Sequence, residues 1–461
     1  MNTTLQKLTQ LIDEKVAAYD ELNRYYYGKQ PLAFLAPEAK TALGNRFGRM
    51  SSNIPRLAIT AISERLRVTA FRTNHDDAQV WADWKLNDLD QMAGLAHREA
   101  LTLGKSFAIV WVDTQGRPQV SIESARHVAV LRDPGTREVV AAVKRWETAT
   151  TTEAVLYLAD SITRFSSNTI GASSGFKTVE VIENPLGVVP VVPFVNGDRL
   201  LDDGVSEIND LIPLVDGLNK TLSDLMISSE FAGRPRRWAT GIEVVKDDDG
   251  KPINPIPEGP RAMISEKENS KFGQLPGADL SSYEASVNVF LGQIMAVSAL
   301  PAHYIGITTS NPASADALRA SEASLTARAE ARQAQFGRSW EWVARLMIAV
   351  RTGLPVETIT ADVRWADAAT RSVAQEADAV VKLTQAGILP ASIALERLGY
   401  DSDEIERIEA AKDREAARAS IADVQARADL ARNLEGQGMN QPASLAAAGL
   451  FAAANETRVG E

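Results

Sequence analysis

The chain has 461 residues, 45% of them hydrophobic and 24% charged, with a formal net charge of −11 and no cysteine. Lack of cysteine removes disulfides, thiolate catalysis, zinc fingers and iron–sulfur clusters, and the acidic balance argues against a firm grip on nucleic acid, which lysine and arginine patches supply. The length points to about three domains, and no run approaches the ~20 apolar residues of a membrane span.

Met1 to Thr9 is polar and has no charged-then-apolar leader, so no export is expected. From Thr4 to Tyr27, Leu5, Leu8, Ile12, Val16, Tyr19, Leu22 and Tyr26 recur every three or four residues, the period of a helix with one buried face. Gly28 and Pro31 stop it. Two more helical stretches follow, Ile54 to Leu66 and Asp76 to Leu103, the second expected to break near Gly94. From Phe107 to Phe194 the pattern is that of strands: Phe107–Val112, Val120–Ile122, His127–Leu131, Val139–Trp146 and Val155–Leu158. Turn residues such as Asp133-Pro134-Gly135 separate them. Val188 to Phe194 carries two prolines and is expected at a sheet edge or in an extended arm.

Helical spacing returns at Val205, Ile208, Ile212, Val215, Leu218, Leu222, Leu225 and Met226, with Pro213 either kinking that helix or opening a fresh one. A further apolar helix is expected from Ser281 to Ser298. Between the two lies Gly233 to Gly277, where Gly241–Val245, Asp247–Gly250 and Pro252-Ile253 read as a hairpin with a charged tip. Beyond Asn311-Pro312, Ser314 is a suitable N-cap for a helix to Thr352, marked by Leu318, Leu325, Ala329, Phe336, Trp340, Val343, Met347 and Val350. At ~1.5 Å per residue it spans about 58 Å. Without charged heptad flanks, it reads as the spine of a large assembly rather than a coiled coil. The remainder is helical: Ser372–Ala386, Ala391–Leu398 and Asp403–Leu434, the last with a capping arrangement at Asp401 and Glu404. After Glu435 the composition is that of a disordered tail.

Little in this order points to catalysis. Gly104-Lys105-Ser106 invites a phosphate-loop reading, but Glu99 stands where the motif needs glycine, and a helix precedes the strand instead of following it. His75, His97, His127 and His303 fall in no metal-ligand spacing, and each reads as a surface or packing residue. Asp247-Asp248-Asp249-Gly250 lacks the alternating ligands of a calcium loop and reads as a solvated tip. Arg234-Pro235-Arg236-Arg237-Trp238 is the densest basic cluster. It suits either bound phosphate or a protein interface, and the enrichment of Arg and Trp at hot spots favours the interface.

The whole pattern resembles the portal proteins of tailed bacteriophages, in particular the SPP1-type group. The residues that carry the likeness are Tyr25-Tyr-Tyr-Gly28, Asn53-Ile-Pro-Arg-Leu57, Gly104-Lys-Ser-Phe-Ala-Ile-Val110 before Asp113-Thr-Gln-Gly-Arg-Pro118, and Ala386-Gly-Ile-Leu-Pro390 with Leu398-Gly399. The most specific is Asn184-Pro-Leu-Gly-Val-Val-Pro-Val-Val-Pro-Phe194 followed by Asn196. What the resemblance implies is an α+β portal fold. A strand-rich wing (1–200) leads into a stem helix (201–232), a small α/β clip (233–277) and a second stem helix (278–299). A tunnel loop (300–313), a long wing helix with a return strand (314–366), a helical crown (367–434) and the tail (435–461) complete it.

The implied function is a dodecameric ring at one capsid vertex that passes double-stranded DNA during packaging and ejection. The resemblance implies no cofactor and no membrane. It implies as partners other copies of the chain, the terminase large subunit, a head-completion adaptor, the major capsid protein and scaffold, with assembly in the host cytoplasm and residence in the virion. It places His303, Tyr304, Thr308, Thr309, Ser310 and Asn311 toward DNA. Arg234, Arg236, Arg237, Trp238, Asp247, Asp248 and Asp249 would form the clip's docking face. A packaging-pathway nuclease or ATPase, or another self-assembling head or tail protein, is the alternative.

Overall fold

The structure, a computed structural model, describes residues 3–31, 51–197, 199–200, 202–233, 237–242, 246, 248–251, 268–274, 280–307, 315–369, 373–400, 402–438, 440–441 and 444–445. They fall into two compact units, Met1–Ala369 and Thr370–Glu461.

The first unit opens with α1 (Thr3–Tyr26), whose periodic apolar residues are buried as their spacing dictates, except Val16, which is half-buried. Its first turns pack Leu5, Leu8 and Ile12 into one cluster, and its last turns pack Tyr19, Leu22, Tyr25 and Tyr26 into the main core. Helix α2 (Ile54–Ser63) begins with Pro55 in its first turn, where a missing N–H costs nothing. Strand β1 (Val68–Thr73) leads to α3 (Asp77–Leu86), capped by Asp76, whose carboxylate accepts from the Gln79 amide. Helix α4 (Leu89–Leu103) follows.

The break between α3 and α4 therefore lies at Asn87-Asp88, not at Gly94, which sits inside α4. Asp88 takes a left-handed φ of 52°, and the Asn87 side chain fixes the corner. Its amide donates to the carbonyls of Asp83 (2.8 Å) and Pro118 (3.0 Å), and its oxygen accepts from the Val120 amide (2.8 Å). A residue that satisfies three backbone groups outweighs the modest cost of one glycine in a helix.

Then come β2 (Lys105–Val112), β3 (Pro118–Ser124), β4 (Val128–Arg132), β5 (Val139–Glu147), β6 (Thr152–Tyr157), β7 (Ser161–Ser167), β8 (Lys177–Glu183) and β9 (Val191–Val195). They form an antiparallel three-stranded sheet, β3-β2-β9, and a five-stranded meander, β4-β5-β6-β7-β8. The proline-bearing β9 is an edge strand, as its missing N–H requires. The β4–β5 turn is held by Asp133, whose Oδ1 accepts from the amides of Gly135 and Thr136, each at 2.8 Å.

A 3-10 turn (Asn209–Leu211) precedes α5 (Ile212–Gly233), so Pro213 opens a fresh helix rather than kinking a longer one. Strands β10 (Arg237–Thr240) and β11 (Lys271–Gln274) pair antiparallel across the segment between them. Next are α6 (Ser281–Ser298), a 3-10 turn (Ala302–Ile305) and α7 (Ala315–Thr352), a 38-residue helix about 57 Å long at ~1.5 Å per residue. Strand β12 (Ala361–Trp365) returns to pair with β1. Helix α7 is the spine of the core: Leu325, Ala329, Phe336, Trp340, Val343 and Met347 are fully buried. Gly337 gives β12 room, since a Cβ there would stand 3.2 Å from Val363 and 3.3 Å from Trp365.

The second unit is helical: α8 (Val373–Gln385), α9 (Ala391–Arg397) and α10 (Ser402–Gly436). Gly387 and Gly399 take left-handed φ values just past the first two, the usual helix exit. Most of α10 is solvent-exposed, Ile421, Val424 and Leu430 included. Past its end Ser444 is buried, and its hydroxyl donates to Glu435 at 3.0 Å. The N-cap positions Ser314 and Asp401, and the tail past residue 445, lie outside the described residues.

Candidate assembly and conduit surfaces

Helices α5 and α6 pack together closely because Gly217 has no side chain: a Cβ there would lie 2.5 Å from the Phe290 ring. Farther along, the hydroxyls of Ser228 and Tyr283 lie 3.0 Å apart. The outer side of α6 carries Ser282, Ala285, Ser286, Val289, Gln293 and Ala296, all exposed and none charged. Glu284 is the one ionisable side chain in α6 apart from Tyr283. This exposed face carries no charge, and Val289, 64% exposed, stands at its middle.

The start of α5 is tied to the core. The Tyr25 hydroxyl donates to both carboxylate oxygens of Asp216, each at 2.9 Å, and Asn219 accepts from the amide and hydroxyl of Ser52 at 2.9 Å. Burial holds the Asp216 carboxyl above its ordinary value, the Glu21 charge adding to the effect and the Tyr25 bond opposing it. Burial, then the bond to Asp216, raises the Tyr25 phenol as well. Between β9 and α5, Glu207 accepts from Arg332 of α7 at 2.6 and 2.9 Å and from Arg328 at 3.4 Å.

The sequence-expected site residues are distributed unevenly. Thr308, Thr309, Ser310, Asn311, Arg234, Arg236 and Asp247 lie outside the described residues, as does most of the expected hairpin. Arg237 begins β10, opposite Gln274. Trp238 lies against Gly273, where a Cβ would stand 2.5 Å from the indole, and Trp238 and Phe272 remain part-exposed. Asp248 and Asp249 are exposed in a turn. His303 and Tyr304 sit together in the 3-10 turn after α6, ring centroids 4.8 Å apart. They face Glu322 of α7 and Arg65, just past α2. Neither partner carried any local signal in the sequence.

Gly104-Lys105-Ser106 is a packed helix-to-strand corner. Gly104 takes φ 87° against the backbone of Gly204, Lys105 pairs with Asp203, and the buried Ser106 hydroxyl donates to the Ala96 carbonyl at 2.7 Å. A cleft of about 330 Å³ between the two larger sheets is lined by Ile109, Trp111, Val155, Tyr157, Ile162 and Ile182. Its polar lining, Gln119, Ser121, Arg164 and Glu180, contains neither histidine nor cysteine. Among the described residues no three His, Cys, Asp or Glu side chains gather as metal ligands, and no helix is long and apolar enough to cross a membrane.

Residues 5–418 match a family described as phage portal protein, SPP1 Gp6-like. The portal protein of Mycobacterium phage L5 is 28% identical over 392 residues, covering 79% of each chain. That of Mycobacterium phage D29 is 28% identical over 436 residues, covering 88% of each. Among solved structures, a chain from the virion of a native gene transfer agent particle aligns with TM-score 0.47 and 13% identity, over 83% of this chain and 93% of that one. A chain from the neck of the native particle, computed with C12 symmetry, aligns with TM-score 0.45 and 15% identity, over 79% and 94%.

Proposed function

The chain belongs to the family of SPP1 Gp6-like phage portal proteins, and on that premise we propose that it closes into a dodecameric ring at one capsid vertex and passes double-stranded DNA in packaging and ejection. Its role is structural rather than enzymatic. In this reading residues 1–200 and 314–366 form the wing, and segments 201–232 and 278–299, which carry all but the last residue of α5 and the whole of α6, form the stem. Residues 233–277 are the clip, which meets the terminase large subunit and later the adaptor, with Arg234, Arg236, Arg237, Trp238 and Asp247 to Asp249 at the contact. Residues 300–313 approach the DNA, and 367–434 form the crown. Capsid protein and scaffold surround the ring, which is assembled in the host cytoplasm.

The observation that most supports this reading is the charge-poor outer face of α6 on an otherwise acidic chain. The acidic balance of the chain suits the conduit itself, which has to release a polyanion at every step, since each lysine or arginine on its wall would add a phosphate contact that resists sliding. An uncharged face can be buried against a neighbouring copy without desolvating a charge. Head-to-tail interfaces of that kind close into a ring when the rotation per subunit divides the circle.

The test is electron microscopy and native mass measurement on the purified full chain. Rings of twelve chains with a central opening are expected, with DNA affinity that stays weak even at low salt. A stable monomer under every assembly condition, or a tight salt-dependent DNA complex, would sink the proposal.

A further inference from the structure

The chain leaving α6 is fastened on several sides before it reaches residue 308. Leu300 and Pro301 are buried, and the 3-10 turn Ala302–Ile305 ends at Gly306, φ 79°. The amides of Tyr304, Gly306 and Ile307 donate back to the carbonyls of Pro301, His303 and Ala302. One terminal nitrogen of Arg65 donates to both the Tyr304 hydroxyl and Glu322 Oε2, each at 3.1 Å, while the other reaches the Ala61 carbonyl at 3.2 Å. The second Glu322 oxygen lies 3.3 Å from His303 Nε2. Arg65 and Glu322 are only 10% and 12% exposed. Two turns farther along α7, Arg328 donates to the Val297 carbonyl in the last turn of α6 at 3.0 Å.

We infer that Glu322 and Arg65 are positioning residues that lock the turn Ala302–Ile305 to α2 and α7, making His303 and Tyr304 anchors of this connection rather than contacts for DNA. The chemistry favours this assignment. The Tyr304 hydroxyl and His303 Nε2 are both engaged inside the protein, and a phosphate approaching Arg65 would have to displace a carboxylate already in place in poorly solvated surroundings. The cluster joins residues 239 and 257 positions apart in the chain. A load on the segment after Ile307 would therefore pass into α7 and α2 rather than bend the turn alone. The meaning of that load rests on the proposed conduit; the lock itself does not.

Amide hydrogen exchange on the full-length protein tests the lock, with oligomeric state recorded on the same samples so that failure of ring assembly is scored separately. Glu322→Gln is expected to speed exchange at Tyr304, Gly306 and Ile307 at least tenfold, and Tyr304→Phe several-fold, while amides of β2 and β5 keep their wild-type rates. Arg65→Met should match Glu322→Gln, and Arg65→Lys, which keeps a cation beside Glu322, should recover most of the protection. If Glu322→Gln loosens the whole fold, the milder Tyr304→Phe and the Lys–Met contrast at Arg65 decide. Wild-type exchange in the turn for Tyr304→Phe, together with no recovery by Arg65→Lys, would overturn the inference.

Discussion

The indole N–H of Trp340 donates a 2.7 Å hydrogen bond to Nε2 of His97, and both side chains are fully buried. A nitrogen that accepts cannot carry a proton, so His97 is neutral with its proton on Nδ1, on the side of the Leu66 carbonyl. Phe336 stacks on the imidazole with the rings 3° from parallel, and Phe194 and Trp365 flank it. Burial pushes its pKa down to about 3, the Leu66 carbonyl opposing the shift. A histidine in an unfolded chain titrates near ~6.5. Below that value the unfolded state takes up a proton that the folded state refuses. Stability is therefore lost as pH falls from ~6.5 toward 3, by up to about 1.4 kcal/mol per pH unit from this group. The expected outcome for His97→Gln is lower stability at pH 7 and a shallower decline between pH 6 and 4. Thermal unfolding across that range measures both, and parallel wild-type and variant slopes would contradict a neutral His97.

Asp216 presents the opposite sign. Its folded pKa is raised by burial, so its contribution is complete below the unfolded carboxyl value of ~3.9 and declines as pH rises through the raised folded value. At neutral pH the ionised carboxylate depends on the Tyr25 hydroxyl. Tyr25→Phe should cost about 1.5–3 kcal/mol at pH 7, the range for a hydrogen bond to a charged group, and much less at pH 4. Asp216→Asn should be close to neutral at pH 7 and remove that difference. Denaturant unfolding of the two single variants and the double variant at both pH values separates the cases.

Elements with a strong local period were legible in the sequence, and relationships across the chain were not. Helix α6 was expected from Ser281 to Ser298 and runs over those residues, and α7 is described from Ala315, the residue after the expected cap, to Thr352 as expected. The α3–α4 break was misplaced because glycine is a visible local signal, whereas Asn87 acts by reaching Pro118 and Val120 more than 30 residues away. Strand β8 was not among the expected strands: every one of its residues is exposed, so no buried alternation marks it. The pairing of β1 with β12, and of Arg65 with Glu322, joins distant stretches that meet only once α7 is packed. The likeness to phage portal proteins was readable because it rests on residue order over nearly the whole chain, whereas the contacts that hold His303 and Tyr304 depend on the fold.

Glu207 and Arg332 form the most buried ion pair that links α7 to the run before α5, their side chains 9% and 7% exposed. Removing one partner of such a pair leaves the other charge unsolvated, which costs about 3–5 kcal/mol, more than the pair itself contributes. Arg332→Met should destabilise by that amount, since Arg328 stands 3.4 Å from the other Glu207 oxygen and replaces only part of the lost contact. The double variant Arg332→Met with Glu207→Gln should recover more than half of the loss. A double-mutant cycle in urea gives the coupling directly, and additive losses would mean the two side chains do not share their burial cost.

Val289 tests the outer face of α6 without disturbing what lies beneath it. At 64% exposed, it contributes little to the fold of a single chain, so Val289→Asp should leave single-chain stability within about 0.5 kcal/mol of wild type. If that face is buried against a neighbouring copy, as proposed, the same substitution places a carboxylate in every interface of the ring. An unpaired charge so placed is costly to desolvate, and in a closed ring the cost recurs at each subunit boundary. The expected result is a shift from ring to monomer in native mass measurement, with a far-ultraviolet spectrum unchanged from wild type. Val289→Thr, nearly the same size and uncharged, should still assemble. Rings of normal mass from Val289→Asp would show instead that this face borders open space, leaving the subunit contacts to the wing.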